Sequence, residues 1–586
     1  MKRHALSLAV AAASTLWIGA ADLALAKDGW PSAGAHAAKG HHKHHRKPPA
    51  EPMVCEDLAG ARLPGLEVSV AETIAADASV PAPAHCRVLG TLDARIGVDG
   101  KDYAIGFELR LPEAWNGRFL FQGGGGNDGV IRPALGAIGN GQPTNALSEG
   151  FAVVSTDAGH TAENVPVIGG QLFGIDPQAR VDYGYNAIER VGETAKALIA
   201  LRYAEKARYS YFIGCSNGGR QGMVAAERFP RLFDGIVSGN PGYNLPRAAV
   251  QHPWDVQAFG AAAPKAADGR PILSQSFSNS DLTLVTDAVT AQCDALDGLA
   301  DGIIENQPAC HFDPAVLQCA GAKTDACLSG AQVEALHKVF GGAKNGLGEA
   351  LYADWPYDTG VSAAGWRAWK IGTATTSMPN SRIVTLGGPS LPYIFMTPPD
   401  EVAGATPDQN ALAVYDYLLN YDFDANASRI DESSGIYTES SMQFMSAKPR
   451  IAPFRAHGGK LILYHGTSDP VFSVNDTIAY YQQLAKRSGG YPRTGRFARL
   501  FVVPGMNHCS GGPATDGFNT LAPIVEWVEK GRAPTSIDAT ARPENGTAWP
   551  GRTRPLCPYP LQARYTGRGS IEQAENFRCV NVSRRH

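Results

Sequence analysis

Residues 211–222 read YFIGCSNGGRQG. A short apolar run enters a glycine-flanked turn, and the turn opens onto a stretch suited to a helix. Inside lies Gly214-Cys215-Ser216-Asn217-Gly218, a G-x-S-x-G pentapeptide. Where such a serine joins a strand to a helix, glycines flank it because no Cβ fits the bend, and the hydroxyl is exposed at the strand's end. The stretch therefore predicts a nucleophile elbow with Ser216 at its tip. It also raises a question, because Cys215 places a thiol directly beside the nucleophile.

The surroundings support the elbow. GRFLFQGGGGNDG (117–129), GFAVVSTDAGH (150–160) and FDGIVSGNPG (233–242) read as buried strands with loops at their ends. Between them, Tyr185, Ile188, Val191, Ala195, Leu198 and Leu201 carry helical spacing. Strands alternating with helices indicate a parallel α/β sheet. The rhythm breaks after residue 243, in a stretch rich in Ala, Gly, Asp and Pro. It resumes at GGKLILYHGTSDPVFS (458–473) and ARLFVVPGMNHCSGG (498–512). The expected fold is an α/β-hydrolase core, residues 51–243 and 450–586, split by a large inserted lid domain at 244–449.

The chain's N-terminus bears on the thiol. Lys2 and Arg3 precede an apolar run, and Ala24-Leu25-Ala26 forms an A-x-A cleavage site. Residues 1–26 read as a secretory signal peptide; an uncleaved anchor fits less well, with Asp22 in place and a short apolar core. Residues 27–50 hold five histidines between His36 and His45 among lysines and prolines, and read as a solvated linker. No later segment has the uninterrupted apolar length of a membrane span. With 586 residues, 44% of them hydrophobic, a substantial packed core is expected. A net charge of −4 argues against nucleic acid as the partner. An exported chain with ten cysteines and no C-x-x-C points to five disulfides rather than zinc.

Acyl transfer needs a nucleophile, a base, an orienting acid and an oxyanion hole. In the α/β-hydrolase order the acid and then the histidine follow the serine. Asp469 follows the apolar run KLILY, and His508 follows LFVV. Each therefore lies just beyond a strand's C-terminal end, where parallel sheets bind ligands. Singly, Asp469 could be a turn aspartate and His508 a loop histidine; Ser216, Asp469 and His508 together, in order, form a catalytic set. Asp157 and His160 precede the serine and read as structural or pocket-lining. Oxyanion donors are expected from the backbone N–H groups of Asn217 and Gly126, with Gly125 the alternative. If Ser216 and His508 meet, their neighbours Cys215 and Cys509 are carried together, and a disulfide between them would tie the base to the nucleophile.

Cys215-Ser216, Asp469 and His508-Cys509 resemble the CS-D-HC motif of the tannase/feruloyl esterase family, which also includes mono(2-hydroxyethyl) terephthalate hydrolase. The resemblance runs over nearly all the chain from about residue 51. It implies a Ser-His-Asp triad, the Cys215–Cys509 disulfide, and pairings Cys55–Cys86, Cys293–Cys310, Cys319–Cys327 and Cys557–Cys579. From its residues alone, CDALDGLADGIIENQPAC (293–310) could be a solvated acidic turn or a calcium loop, and its spacing is not that of an EF-hand. The resemblance implies Ca²⁺ held by Asp294, Asp297 and Asp301 with the carbonyls of Leu299 and Ile303, in a structural role and with no organic cofactor. Asp313 nearby reads as a helix cap.

The resemblance also implies small aromatic ester substrates: galloyl, feruloyl or caffeoyl esters. Trp366, Trp369, Tyr393 and Phe395 are candidates to stack on the acyl ring, against the alternative that each is ordinary lid core. The terephthalate branch is expected to use a lid arginine. Residues 385–399 contain none, and Arg382 lies just outside, which weighs against that branch. Peptide or polyester cleavage by the same residues, and a non-catalytic binding protein on the same fold, are the other readings.

Overall fold

The computed structural model describes residues 51–581 apart from 78 and 80. The signal peptide (1–26) and linker (27–50) readings lie outside the described residues. A nine-stranded sheet runs through the protein: β1 (Leu66–Ile74), β2 (His85–Ile96), β3 (Asp102–Pro112), β4 (Arg118–Gln122), β5 (Ala152–Thr156), β6 (Tyr209–Cys215), β7 (Gly235–Gly239), β8 (Lys460–Gly466) and β9 (Ala498–Val503). Their spatial order is β1-β2-β3-β5-β4-β6-β7-β8-β9.

The sheet is mixed, where the sequence pattern predicted a parallel one. β5, β4, β6, β7, β8 and β9 pair in parallel. β1, β2 and β3 form an antiparallel meander that joins β5 antiparallel. The strand signal was strong only where both faces are buried. β4 and β5 are apolar runs such as FLF and AVV, whereas β1 alternates intermediate and exposed residues with charges at Glu67 and Glu72. Half-buried strands at a sheet's margin lack the continuous hydrophobic run of a central parallel strand.

Helices cover both faces. The helix Ala187–Tyr203 buries Ile188, Val191, Ala195 and Leu198 against one face, sharing a core with Phe119, Phe121 and Phe212. The helix Leu521–Lys530 buries Leu521, Ile524 and Trp527 on the other, against Leu120, Ile213 and Val237. Between β7 and β8 the chain adds no strand to the nine-stranded sheet. That 244–449 segment packs Phe259, Trp366, Ile394 and Tyr415 into a core shared with Phe173 and Tyr183 from before β6 and with Val471 and Phe472 in the loop after β8.

Candidate active site

Ser216 sits between β6 and the helix Asn217–Arg228, at φ 65° and ψ −126°. A positive φ strains a residue with a Cβ by about 1–3 kcal/mol, so the surroundings must hold it. They do: the Ser216 N–H donates to the Gly239 carbonyl at 2.9 Å, and the Ser216 carbonyl accepts from the Arg220 N–H at 3.0 Å. Close approach explains the flanking glycines. A Cβ on Gly214 would stand 2.6 Å from the Gly218 backbone, and one on Gly218 would stand 2.6 Å from the Gly124 carbonyl oxygen.

The loops after β6, β8 and β9 bring the three sequence-predicted side chains together. His508 Nε2 lies 2.8 Å from Ser216 Oγ, and His508 Nδ1 lies 2.9 Å from Asp469 Oδ2. A carboxylate only accepts, so Nδ1 carries the proton and Nε2 is free to accept from the serine hydroxyl. Asp469 is 1% exposed. Its Oδ1 accepts from the N–H groups of Val471 (2.8 Å) and Phe472 (3.1 Å), and its Oδ2 accepts from Asn240 Nδ2 (2.7 Å). Burial alone would raise this carboxyl. The charge of His508 and hydrogen bonds from His465 and His508 outweigh it and hold Asp469 well below the usual carboxylate range.

His465 was not foreseen. It is fully buried, with Nε2 3.0 Å from the Phe472 carbonyl and 3.2 Å from Asp469 Oδ2, and Nδ1 2.8 Å from Thr477 Oγ1. The carbonyl can only accept, so Nε2 is the donor and is shared with Asp469. The four-residue spacing of His465 and Asp469 in YHGTSD was the available signal.

Cys215 and Cys509 are disulfide-bonded, with Cα atoms 6.1 Å apart and a sequence separation of 294. The other eight cysteines pair as Cys55–Cys86, Cys293–Cys310, Cys319–Cys327 and Cys557–Cys579. Cys215 therefore carries no free thiol beside Ser216.

A cavity opens over Ser216. Gly126, Asn217, Leu245, His252, Trp369, Leu386, Phe395 and Phe472 are among its walls. Gly125 lines a different hollow, behind the glycine loop with Asp128. Among the described residues, the N–H groups of Gly126 and Asn217 donate to nothing. The Asn217 side chain is engaged, donating to Asp128 Oδ1 at 2.6 Å and accepting from Arg220 Nε at 2.7 Å. Gln221 donates to Asp128 Oδ2 at 2.8 Å and accepts from the Gly124 N–H at 3.0 Å. Asp128 and Gln221 thereby clamp the glycine loop to the helix that carries Ser216.

The four aromatic candidates divide. Trp369 and Phe395 line the cavity, and the Trp369 ring meets His508 edge-on at 5.3 Å. Trp366 does not reach it; it packs on Phe259 and Phe340 in the core of the 244–449 segment. Tyr393 is likewise buried away from the cavity, its hydroxyl donating to the Val402 carbonyl. Phe472, absent from the expectations, packs its ring against His508 at 5.3 Å. Asp157 accepts from the N–H groups of Gly106 and Gly159, and His160 stacks on Phe173; neither lines the Ser216 cavity.

The family model described as "Tannase and feruloyl esterase" matches residues 86–580. The chain belongs to this family. Over 522 residues it is 45% identical to the mono(2-hydroxyethyl) terephthalate hydrolase of Piscinibacter sakaiensis, covering 85% of each chain. It is 29% identical over 557 residues to a probable feruloyl esterase of Arthroderma benhamiae, covering 90% of this chain and 93% of that one. Among solved structures, feruloyl esterase B from Aspergillus oryzae superposes at TM-score 0.67 and 25% identity, covering 90% of this chain and 99% of that one. The tannin acyl hydrolase from Aspergillus niger shares the fold at TM-score 0.60 and 22% identity, over 89% and 92% of the two chains. This member of the tannase and feruloyl esterase family is an ester hydrolase. Its five disulfides fit an exported protein; among the described residues no helix is long and apolar enough to cross a membrane.

The acidic loop of this esterase is more elaborate than its spacing suggested. Asp294 accepts from the N–H groups of Asp301 and Gly302, and Asp297 from those of Leu299 and Glu305. Asp301 is ion-paired with Arg554 from the C-terminal segment, and Arg552 Nη1 donates to the Asp301 carbonyl. Among the described residues, no three His, Cys, Asp or Glu side chains converge as a metal cluster. The loop nonetheless gathers oxygen donors, the kind of ligand a hard cation takes. Burial first, then the charge of Asp301, pushes Asp297 up to about 6; burial first, then Asp297, pushes Glu305 up to about 8. The carbonyls of Leu299 and Ile303 accept no hydrogen bond among the described residues. Asp313 caps the turn Pro314–Leu317 through the Ala315 N–H.

Arg382 is exposed and stands beside one wall of the cavity. Its guanidinium stands over the Trp369 ring, 5.5 Å from the centroid. Although outside residues 385–399, it is therefore adjacent to a cavity wall. The short helix Arg382–Thr385 brings it there, which a reading by sequence stretch could not see.

Proposed function

We propose that this family member is an exported serine esterase acting on esters of aromatic carboxylic acids, galloyl, feruloyl or caffeoyl esters being the first class. The observation that carries the mechanism is the chain of contacts from Ser216 Oγ through the His508 ring to Asp469 Oδ2. Ser216 Oγ attacks the ester carbonyl while His508 Nε2 takes its proton. Asp469 stays ionised, holds Nδ1–H and stabilises the imidazolium. The tetrahedral oxyanion is received by the free N–H groups of Gly126 and Asn217. The intermediate collapses, the alkoxide takes the proton from His508, and the acyl group remains on Ser216. Water then attacks, gives its proton to His508, and releases the acid as Ser216 recovers its hydrogen.

The flat apolar walls given by Trp369, Leu386, Phe395 and Phe472 suit an aromatic acyl group. In this reading the 244–449 segment is a lid, since Trp369, Leu386 and Phe395 come from it. A calcium ion in the 293–310 loop would be held by Asp294, Asp297, Asp301 and the carbonyls of Leu299 and Ile303. It would neutralise the crowded carboxylates and hold the loop, without taking part in the chemistry at Ser216.

A second reading, a mono(2-hydroxyethyl) terephthalate-type hydrolase, is favoured by Arg382 beside Trp369 and by the 45% identical relative. Hydrolysis of methyl gallate, methyl ferulate, chlorogenate, mono(2-hydroxyethyl) terephthalate and a short aliphatic ester, beside S216A, tests both. Cleavage of a phenolic ester that S216A abolishes supports the first reading, and cleavage of the terephthalate ester alone supports the second. Cleavage of only the aliphatic ester, or activity in S216A equal to wild type, overturns both.

A further inference from the structure

The cavity over Ser216 is mostly apolar, so each polar side chain on its wall invites a question about its use. Asn127 and Ser390 are engaged with each other: Asn127 Nδ2 donates to Ser390 Oγ at 3.0 Å, and Ser390 Oγ donates to the Leu386 carbonyl at 2.9 Å. The Asn217 side chain is held by Asp128 and Arg220. His252, on the helix Leu245–Ala262, is different. It lines the cavity and is 4% exposed, and neither of its ring nitrogens meets a hydrogen-bond partner among the described residues.

A polar group left without a partner in an apolar wall carries a cost that a ligand can relieve. His252 borders the cavity, and Gly387 packs against its ring. A Cβ on Gly387 would stand 2.3 Å from His252 Nε2, so any other residue at 387 would press on that nitrogen. Gly387 does not have a positive φ, so its own backbone does not call for glycine. Burial, and then the charge of Lys370, pushes His252 down to about 3, which keeps the ring neutral. Lys370 itself is spent, with Nζ 2.5 Å from Asp255 and lying over the Trp355 ring. A neutral imidazole offers one donor and one acceptor. A phenolic hydroxyl presents the complementary pair.

We propose that His252 is a specificity-determining residue of this esterase, hydrogen-bonding a ring hydroxyl of the aromatic acyl group. The inference rests on the aromatic-ester reading above and narrows it to hydroxylated acyl rings. Gly387 packs closely against the Nε2 side of the ring, where a larger residue would displace it.

The test compares kcat/KM for methyl 4-hydroxybenzoate, methyl 3-hydroxybenzoate and methyl benzoate in wild type, H252F, H252Q and G387A, with melting curves for each. The ratio of a hydroxylated to the unsubstituted ester should fall by about tenfold or more in H252F, the scale of a lost buried hydrogen bond. H252Q, which keeps a donor and an acceptor, should retain most of the ratio. G387A should lower it with His252 still present, and it supplies the answer if H252F fails to fold. Ratios within about twofold of wild type in the folded variants overturn the proposal while leaving the esterase reading intact. A shift seen with monomethyl terephthalate instead overturns the hydroxyl assignment. Failure of wild type to cleave any of these esters through Ser216 removes the aromatic-ester reading and this inference with it.

Discussion

The side-chain amide of Asn217 donates to the Asp128 carboxylate at 2.6 Å, so the residue whose backbone faces the cavity beside Ser216 is anchored through its own side chain. Asp128 reaches Gln221 as well, and Gln221 holds Gly124. Replacing Asp128 by Asn puts an amide against the Asn217 amide and breaks this clamp. D128N should lower kcat by about ten- to a hundredfold, the scale of a weakened oxyanion donor, with KM little changed. Steady-state kinetics with a melting curve checks it; an unchanged kcat removes the clamp from the mechanism.

Asp128 also makes a pH prediction with a definite sign. Burial raises its carboxyl to about 6, against the opposing effects of Gln221, the Arg220 charge, Asn217 and the Gly125 N–H. The folded state therefore holds this proton more tightly than the unfolded chain does. Its contribution to stability is largest below about pH 4, falls as pH rises to about 6, and is flat above. Activity should move the opposite way, falling as pH drops below about 6, because the carboxylate is the acceptor for both Asn217 and Gln221. Chemical denaturation of wild type and D128N across pH 4–8 checks the first trend, and initial rates check the second.

His465 fixes Asp469 and the backbone of Phe472 together. H465L should reduce kcat by about tenfold with KM nearly unchanged, and H465Q, which keeps a donor, should restore much of the loss. A purely structural role would lower the melting temperature of both variants alike and leave kcat of the folded protein as it was.

The Cys215–Cys509 bond spans 294 residues, for which chain entropy gives an upper contribution of about 5–6 kcal/mol. C215S/C509S should melt well below wild type. Assayed below its melting range, it should have a reduced kcat, because His508 is no longer tied to the elbow. Turnover equal to wild type would show that packing by Trp369 and Phe472 is enough to place the base.

If calcium occupies the 293–310 loop, chelation should lower the melting temperature while changing turnover of the still-folded protein little. D297N should lose that response. An identical melt with and without calcium removes the metal from the loop.

The chemistry was legible where the sequence repeats a constraint. Gly214, Gly218 and Ser216 mark a bend that only glycine permits, and Cys215 and Cys509 independently flag the two residues they flank. The antiparallel meander β1, β2 and β3 was missed; β1, at the sheet edge and only half-buried, lacks the apolar runs of FLF or AVV. Asp128, His252 and His465 were missed for another reason. Each is a single polar residue whose meaning comes from contacts far away in the chain. Trp366 and Trp369 lie three residues apart on one short helix, yet packing sends one into the core and the other to the cavity. Periodicity cannot assign such a boundary, because both sides of it are apolar.

The bond between Cys215 and Cys509 also orders the protein's manufacture. Cys215 and Ser216 are synthesised early, and Cys509, the partner of Cys215, arrives only after β8, β9 and the entire 244–449 segment have been made. A nascent or truncated chain can carry the serine elbow without the means to use it. Assembly of the hydrolytic machinery is thus deferred to the last stage of biosynthesis, when an oxidant can seal the two loops.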